Sequence, residues 1–538
     1  MRTHGRRRFR YRGIPSTTPS TELNQGEEEK KATHGEDHKI PSLEPLLANV
    51  GREDPRDTES RGFLPQGRQI QGQERGHRGK TRKMSDQLEP DVGERPTTPT
   101  SVLSSAESPE ASTRVDSPAN LSRRRKKIAL VLFLFFEGYL LFHYGYRQQR
   151  LLHADLPSFY FSAQMAFVEG RSPYDFATMA QQGTIIKQPI FPYLYPPSSL
   201  VPLFPFSLVS YDTAKWLMVI GNHLLLVLLA YLLAFRIGRF SDSTLGFFVC
   251  ALLLISFPST QTLVHSQVNF MVIVLICLAW LGLRSRDGWW PGISIALAVL
   301  LKQSPVILLA LLVLERRWKA LSASLLVLFG SATVSRFLAP PGTWKEWFEV
   351  IRPSLAYGKV PEFLFSPACP YNQSFNGLVS RFFLAPNCTP TDLSVPLAGQ
   401  ASTYLLAVGM IGISMVATYR LRRQTEASRI NFGFALLMPT MFLVSPLAWE
   451  HHLIFVFPSL FWLCSLVVDQ KQIPSLLWIP LGISLLVISL PLPIDHPFLR
   501  QGGWIQLISL RTYGVLVLWI ILVYVAMRAS LRAHKDPS

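Results

Sequence analysis

Two isolated charged residues lie next to long apolar segments and could do chemistry there. Asp155 follows the first apolar run, and a carboxylate at an apolar boundary tends to have a raised pKa, which suits a general base. Helix capping or a structural ion pair is the alternative role. Lys302 lies in Leu301-Lys302-Gln303-Ser304-Pro305 between apolar residues. A lysine at membrane depth costs about 2.5–3.5 kcal/mol, and it has no polar place to snorkel here. It is therefore predicted to bind an anion such as a lipid phosphate.

The stretch Trp449-Glu450-His451-His452 follows another apolar run. Adjacent histidines on a helix point about 100° apart and rarely share a metal ion, so no metal site is predicted. One histidine donating to a phosphate or sugar oxygen fits better, with Glu450 as an orienting group. Amide side chains that could bond sugar hydroxyls are Gln267, Asn269, Asn372, Gln373 and Asn376.

Hydrophobic runs dominate the 538-residue chain after Lys127. A helix needs roughly 17–25 mostly apolar residues to cross a bilayer, which predicts an all-α polytopic membrane protein of about 12 transmembrane helices. The net charge of +17 comes from basic residues in the tail and in short loops, as expected for membrane orientation rather than for nucleic-acid binding. The predicted spans are 128–145, 213–235, 243–258, 268–284, 289–301, 304–315, 319–338, 400–420, 430–447, 452–468, 474–491 and 504–527.

The positions of the basic residues predict how the chain is oriented in the membrane and where its domains begin and end. The basic cluster 123–127 precedes the first span and indicates a cytoplasmic N-terminus, and alternation then places the C-terminus inside as well. Residues 1–126 are predicted to be a disordered cytoplasmic tail, 127–530 the membrane domain, and 531–538 a second cytoplasmic tail. The long polar segments, and hence the site, fall on the extracytoplasmic face.

Three finer expectations concern local structure. The runs 289–301 and 304–315 are too short to cross, so a helix break at Lys302 inside a water-filled cavity is predicted. Residues 156–169 have helical spacing and are predicted to form an interfacial amphipathic helix that ends at Gly170. Cys369 and Cys388 share one outer loop, and the sequence leaves open whether they form a disulfide.

Six short motifs, taken in order, resemble glycosyltransferase family 87, the bacterial polyprenol-phosphate-mannose-dependent mannosyltransferases of the GT-C superfamily. The family usually has Asp at the position of Glu450 and Pro at that of Gln303. The motifs are Asp155 with Phe159-Tyr160 and Pro173-Tyr174, Tyr195-Pro196-Pro197, Ser266-Gln267-Val268-Asn269, Leu301-Lys302-Gln303-Ser304-Pro305, Asn372-Gln373-Ser374-Phe375-Asn376-Gly377, and Ser445-Pro446 with Trp449-Glu450-His451-His452.

The resemblance implies a GT-C-like bundle that transfers a hexose, mannose in the family, with inversion. The donor would be a polyprenyl-phosphate-linked sugar, the acceptor a hydroxyl of a lipid or glycan, and no cofactor or metal is implied. The implied site comprises Asp155 as general base, Lys302, His451 and His452 at the donor phosphate, and Tyr160, Tyr174, Tyr195, Gln267, Asn269, Gln303, Asn372, Gln373, Asn376 and Glu450 around the substrates.

Two other functions fit parts of the sequence. A transporter or flippase of a lipid-linked substrate would also use an intramembrane lysine and long outer loops, although the two halves of the chain show no convincing repeat. A transferase that moves a different group, such as an aminosugar, is the other alternative.

Overall fold

The computed structural model describes Lys127, most of residues 130–142, and residues 155–238, 240, 243–285, 287–359, 365–389, 393–468 and 474–535. The predicted tail 1–126 and the last three residues lie outside this part. The described residues are helical and contain no strand. The α-helices after residue 155 are α1 Leu156–Phe167, α2 Phe176–Ile185, α3 Phe204–Ser207, α4 Tyr211–Tyr231, α5 Ser243–Ile255, α6 Phe257–Val264, α7 Asn269–Leu283, α8 Trp289–Leu301, α9 Leu308–Leu314, α10 Trp318–Leu338, α11 Thr343–Glu346, α12 Arg352–Ser354, α13 Phe375–Ser380, α14 Leu397–Arg420, α15 Glu426–Leu443, α16 Phe457–Val468, α17 Trp478–Ser489 and α18 Leu510–Lys535.

Five helical segments of the described chain are long and apolar enough to cross a membrane. The all-helical membrane architecture is therefore confirmed, whereas the number of about 12 spans stays a prediction. Most predicted spans coincide with a helix to within a few residues. The predicted span 243–258 differs, because the chain leaves helical geometry at Ser256 before α6 begins. The five segments are Tyr211–Ile237, Trp318–Leu338, Leu397–Arg423, Glu450–Val468 and Gly502–Arg532.

Helix α1 forms where the sequence predicts it, but it is not an interfacial helix. Ten of its twelve residues are buried, including polar Ser158 and Ser162. An interfacial helix must leave one face to lipid headgroups or water, so burial on all sides corrects that expectation. The chain does turn at Gly170, which has a positive φ of 65°. Asp155, at the N-terminus of α1, is half-buried.

The predicted break at Lys302 is present. Helix α8 ends at Leu301, Lys302 adopts an extended backbone, and Pro305 lies in the 3-10 turn Ser304–Ile307 that leads into α9. Proline cannot donate the hydrogen bond that would continue α8. A Cβ on Gly292 would lie 1.9 Å from the carbonyl oxygen of Ala320, so only glycine allows this approach of α8 to α10. This contact fixes the helix that carries Lys302.

A disulfide closes part of the long polar loop that follows α10. Cys369 pairs with Cys388, which answers the question that the sequence left open. Cys250, Cys277 and Cys464 are free, and the first two are buried as expected for small core residues.

A buried contact between Glu137 and His223 joins the segment before residue 143 to α4. The Glu137 carboxylate lies 2.6 Å from His223 Nδ1, and both side chains are almost inaccessible. Removing one partner of a buried pair typically destabilises a protein by about 3–5 kcal/mol, because the other group stays buried and unpaired. We expect Glu137→Ala to lower the midpoint of thermal unfolding of the detergent-solubilised protein clearly. Glu137→Gln keeps a hydrogen-bonding partner and should lower it less. Equal midpoints for wild type and Glu137→Ala would contradict this role.

Candidate functional site

The carboxylate of Asp155 faces a polar cluster inside the protein. Its side chain makes no capping hydrogen bond to α1, so the capping role is not realised. It accepts a hydrogen bond from the Gln267 side chain instead, and the charges of His265 and Lys302 act on it. Burial raises the pKa of Asp155, and these three neighbours only partly offset the increase. The Asp155 carboxylate, in this position, is therefore suited to accept a proton.

Lys302 and His452 meet beside this carboxylate. The Lys302 Nζ atom contacts Nε2 of His452. The other ring nitrogen, Nδ1, accepts the backbone N–H of Trp449 at 3.2 Å. A neutral imidazole with an occupied Nδ1 carries its proton on Nε2, so this atom and the Lys302 ammonium are both donors. Neither donor can accept a hydrogen bond from the other, so an anionic oxygen that accepts from both would satisfy this pair.

Two further imidazoles extend the cluster. The ring of His451 lies 4.4 Å from that of His452 and 5.4 Å from that of His265. His265 was not predicted from the sequence, although it directly precedes the Ser266–Asn269 motif. Burial lowers the pKa of His265, with the nearby Asp155 charge acting in the opposite direction. The cluster thus brings three histidines, a lysine and a carboxylate to one place.

A strained turn aims Gln267 at Asp155. Ser266 is buried and has a positive φ of 49°, a conformation that non-glycine residues rarely adopt. The Gln267 N–H donates to the Thr262 carbonyl at 3.1 Å, which closes the turn after α6. Asn269 then donates through Nδ2 to the His451 carbonyl oxygen at 3.3 Å. Asn269 therefore holds the histidine segment against this turn.

Tyr195 lies at the edge of the cluster. Burial raises the pKa of its hydroxyl, and the negative charge of Asp155 raises that pKa further. Its ring lies 6.0 Å from Phe159. Tyr174 supports it from behind, because the Tyr174 hydroxyl donates to the Tyr195 carbonyl oxygen at 2.7 Å. Tyr195 thus borders the site, and Tyr174 positions it.

Two residues of the predicted set, Tyr160 and Gln303, have no hydrogen bond to this cluster. The Tyr160 hydroxyl donates to the carbonyl oxygen of Val209 at 2.8 Å, and its ring packs 5.3 Å from Tyr211. Tyr160 is therefore occupied in the packing of α1. Gln303 is half-buried and serves as the N-cap of the turn Ser304–Ile307.

The amide side chains of the loop that contains the disulfide hold the segment before the histidines in place. Asn372 accepts the Ala448 N–H at 3.0 Å and donates to the Pro446 carbonyl at 3.3 Å. Asn376 donates to the same Pro446 carbonyl at 3.0 Å and accepts the Gly358 N–H at 2.9 Å. These bonds fix the segment that leads into the histidines.

Gln373 extends this framework to the last long helix. Its Nε2 donates to the carbonyls of Pro370 and Ile508 at 2.7 and 2.8 Å. Its Oε1 accepts from the Thr512 hydroxyl at 3.2 Å. The side chains of Asn372, Gln373 and Asn376 are hydrogen-bonded to other groups of the protein. Their positions therefore favour a supporting role over direct contact with a sugar.

Glu450 is held by a buried arginine. Its Oε1 lies 2.6 Å from Arg511 Nη1, and the Arg511 side chain has no exposed surface. Arg511 also donates to the Leu490 carbonyl at 3.0 Å. Sequence reasoning missed Arg511, which begins the last apolar run and could have been noted as a second buried cation. Glu450 therefore anchors the N-terminal end of the histidine segment.

The described residues contain no cluster of three or more His, Cys, Asp and Glu side chains suited to a metal ion.

Comparisons with known proteins relate part of the chain to one enzyme family. The model of Glycosyltransferase family 87 matches residues 193–446. The resemblance to glycosyltransferase family 87 is confirmed. The family-87 match contains Tyr195, Gln267 and Lys302, whereas Asp155, His451 and His452 lie outside it.

Curated relatives are mycobacterial membrane-lipid and arabinan enzymes. The chain is 24% identical over 274 residues, 51% of its length and 61% of the relative, to a polyprenol-phosphate-mannose-dependent alpha-(1-2)-phosphatidylinositol pentamannoside mannosyltransferase of Mycolicibacterium smegmatis. It is 33% identical over 142 residues, 25% of its length and 32% of the relative, to an alpha-(1->3)-arabinofuranosyltransferase of Mycobacterium tuberculosis. A phosphatidylinositol mannoside mannosyltransferase of M. smegmatis that also depends on polyprenol-phosphate-mannose is 21% identical over 394 residues, 69% of this chain and 82% of that relative.

The chain thus spans less than two thirds of the length of the first two relatives. No solved structure matches it significantly.

Proposed function

We propose that this chain is a membrane glycosyltransferase that moves a hexose, most simply mannose, from a polyprenyl-phosphate-sugar donor to an acceptor hydroxyl on a lipid or glycan. The observation that carries the proposal is the placement of a half-buried carboxylate, Asp155, beside the donors of Lys302 and His452. The family-87 match and the mannosyltransferase relatives support the class of donor.

In the proposed reaction Asp155 is the general base. It takes the proton of the acceptor hydroxyl as the new bond forms between that oxygen and the anomeric carbon. The bond from the anomeric carbon to the phosphate oxygen breaks, and its electron pair leaves with the polyprenyl phosphate. Attack opposite the leaving group inverts the anomeric centre. The raised pKa of Asp155 strengthens it as a base at neutral pH.

Lys302 and His452 would hold the donor phosphate and stabilise the charge that grows on it as the bond breaks. Fixed donors aimed at developing charge are often the largest contribution to catalysis. Buried polar atoms of Gln267, Asn269 and His451 have no hydrogen-bond partner among the described residues, namely Oε1, Oδ1 and Nε2 respectively. They fit a polar substrate such as a sugar.

We further propose a cell-membrane location, with the site on the extracytoplasmic face and both termini in the cytoplasm. The support is the charge at the far ends of the helices. Helix α7 begins next to Gln267 and ends at Arg284, and α15 begins after Arg422 and Arg423 and ends near the histidine segment. Basic residues cluster at cytoplasmic helix ends.

A transporter or flippase is the alternative, and one experiment separates the two functions. Purified protein in liposomes would receive radiolabelled polyprenyl-phosphate-mannose and a lipid acceptor. We expect a labelled acceptor to form in proportion to the protein. Labelled donor that crosses the bilayer without any transfer would support the transporter and overturn our proposal. Transfer from an aminosugar donor alone would keep the reaction class and change the sugar.

The pH dependence should report the contact between Lys302 and Asp155. Asp155 must be ionised to act as a base, so turnover falls as the pH drops below its pKa. The Lys302 charge lowers that pKa, and its removal should raise it. We expect the acid limb of the pH–rate profile of Lys302→Gln, measured on its residual turnover at saturating donor, to move to higher pH. Lys302→Arg keeps the charge and serves as the control. A limb that stays in place or moves to lower pH would contradict this contact.

A further inference from the structure

A cavity of about 1020 Å³ lies at the opposite ends of the helices that carry the site. Helix α7 starts beside Gln267 and reaches the cavity at Arg284 after 15 residues, which is roughly 22 Å of helix. The segment Glu450–Val468 likewise starts at the histidines and reaches the cavity at Ser465. The cavity is therefore separate from the Asp155 cluster.

The cavity wall is basic on one side. Arg236, Arg284 and Arg532 line it, and no Asp or Glu occurs among its lining residues. Arg284 is held firmly, because it donates to the Asn431 side chain at 2.5 Å and to the Arg236 carbonyl at 2.7 Å. Arg236 and Arg532 are exposed. The three guanidinium groups thus give this end of the cavity a positive charge.

The rest of the wall combines hydroxyl groups with apolar surface. Ser428 and Ser465 supply hydroxyls, while Phe432, Trp462 and Leu466 supply the apolar part. A free phosphate ion would use only the basic half of such a wall. A lipid with a phosphate headgroup and hydrocarbon chains would use both halves. Basic pockets between helices on the cytoplasmic side of membrane proteins recognise anionic lipid headgroups in this way.

We propose that this cavity binds the phosphate headgroup of an anionic phospholipid. The chemistry recognised is a phosphate ester carried by a lipid, and the structure favours a phospholipid of the leaflet that contacts the Arg236 end of the bundle. In the topology proposed above this is the cytoplasmic leaflet. The site is distinct from the donor site, so the donor lipid and a bound phospholipid can be present together.

Native mass spectrometry of the full-length protein in detergent tests the proposal without relying on sugar transfer. The probes are phosphatidylglycerol, phosphatidylcholine, polyprenyl monophosphate and inorganic phosphate. We expect phosphatidylglycerol to be retained over phosphatidylcholine. The double variant Arg236→Gln/Arg532→Gln should bind phosphatidylglycerol about thirtyfold more weakly, given the usual contribution of two basic side chains near anionic lipid. Arg284 is not substituted, because its hydrogen bonds to Asn431 and to the Arg236 carbonyl also hold neighbouring helix ends together.

A matched control removes two arginines at the same end of the bundle. Arg420 and Arg422 are exposed there but do not line the cavity, so Arg420→Gln/Arg422→Gln should bind like wild type. Three results would overturn the proposal. These are equal phosphatidylglycerol binding by wild type and Arg236→Gln/Arg532→Gln, an equal loss in the control, and displacement of the lipid by millimolar inorganic phosphate. Retention of polyprenyl monophosphate in place of phosphatidylglycerol, lost only in Arg236→Gln/Arg532→Gln, would overturn the assignment to a phospholipid.

Discussion

Asp155→Asn is expected to lose sugar transfer by about 10²–10⁴-fold, the range that general-base catalysis usually supplies, while donor binding stays close to wild type. Asparagine has the shape of aspartate and can keep a hydrogen bond to Gln267, so the local structure should persist. It cannot accept the proton of an attacking hydroxyl. The measurement is initial-rate transfer from radiolabelled polyprenyl-phosphate-mannose, together with equilibrium binding of the same donor.

Asp175 offers a matched control for this substitution. It is also an N-cap aspartate, but its carboxylate caps α2 through the Thr178 N–H at 3.1 Å and stands outside the cluster. Asp175→Asn should leave turnover nearly unchanged. Full turnover in Asp155→Asn would remove Asp155 from the role of base. Loss of donor binding together with turnover would instead indicate that the carboxylate shapes the donor site.

Lys302→Gln is expected to weaken binding of the polyprenyl-phosphate donor by about 10–150-fold. This range corresponds to the roughly 1.5–3 kcal/mol that a hydrogen bond to a charged group contributes. Glutamine can still donate to a phosphate oxygen but carries no charge, so the loss reports the ammonium group. Donor affinity is measured by titration at constant ionic strength, and polyprenyl phosphate without sugar should show a similar loss.

The control for Lys302 is Lys215, which pairs with exposed Asp212 near the start of α4 at 2.6 Å. Lys215→Gln should bind the donor like wild type. An unchanged donor affinity in Lys302→Gln would mean that the ammonium does not contact the phosphate. In that case His452 alone would have to hold it.

The helical framework could be predicted from the sequence because it depends on local patterns. Apolar runs predicted the long helices, and Pro305 after a charged residue predicted the break at Lys302. The interfacial placement of α1 was wrong, because spacing reveals a helix but not what packs around it. The polar residues Ser158 and Ser162 of this helix are both buried in the protein.

The site was only partly predictable because its contacts join distant parts of the chain. Lys302 meets His452 across 150 residues, and no local pattern encodes that contact. For the same reason the sequence could not separate ligand-facing amides from supporting ones. Gln267 faces Asp155, whereas Gln373 is committed to the carbonyl groups of Pro370 and Ile508.

The proposed donor-phosphate site at Lys302 and His452 is tested most directly by photo-crosslinking. The probe is a polyprenyl phosphate that carries a diazirine on the isoprene unit next to the phosphate. Proteolysis and mass spectrometry would locate the label. We expect it on the segments around Lys302 and His452, with protection by unlabelled donor. Label confined to the arginine-lined cavity at the other end of the helices, with none near Lys302 or His452, would contradict the proposed mechanism.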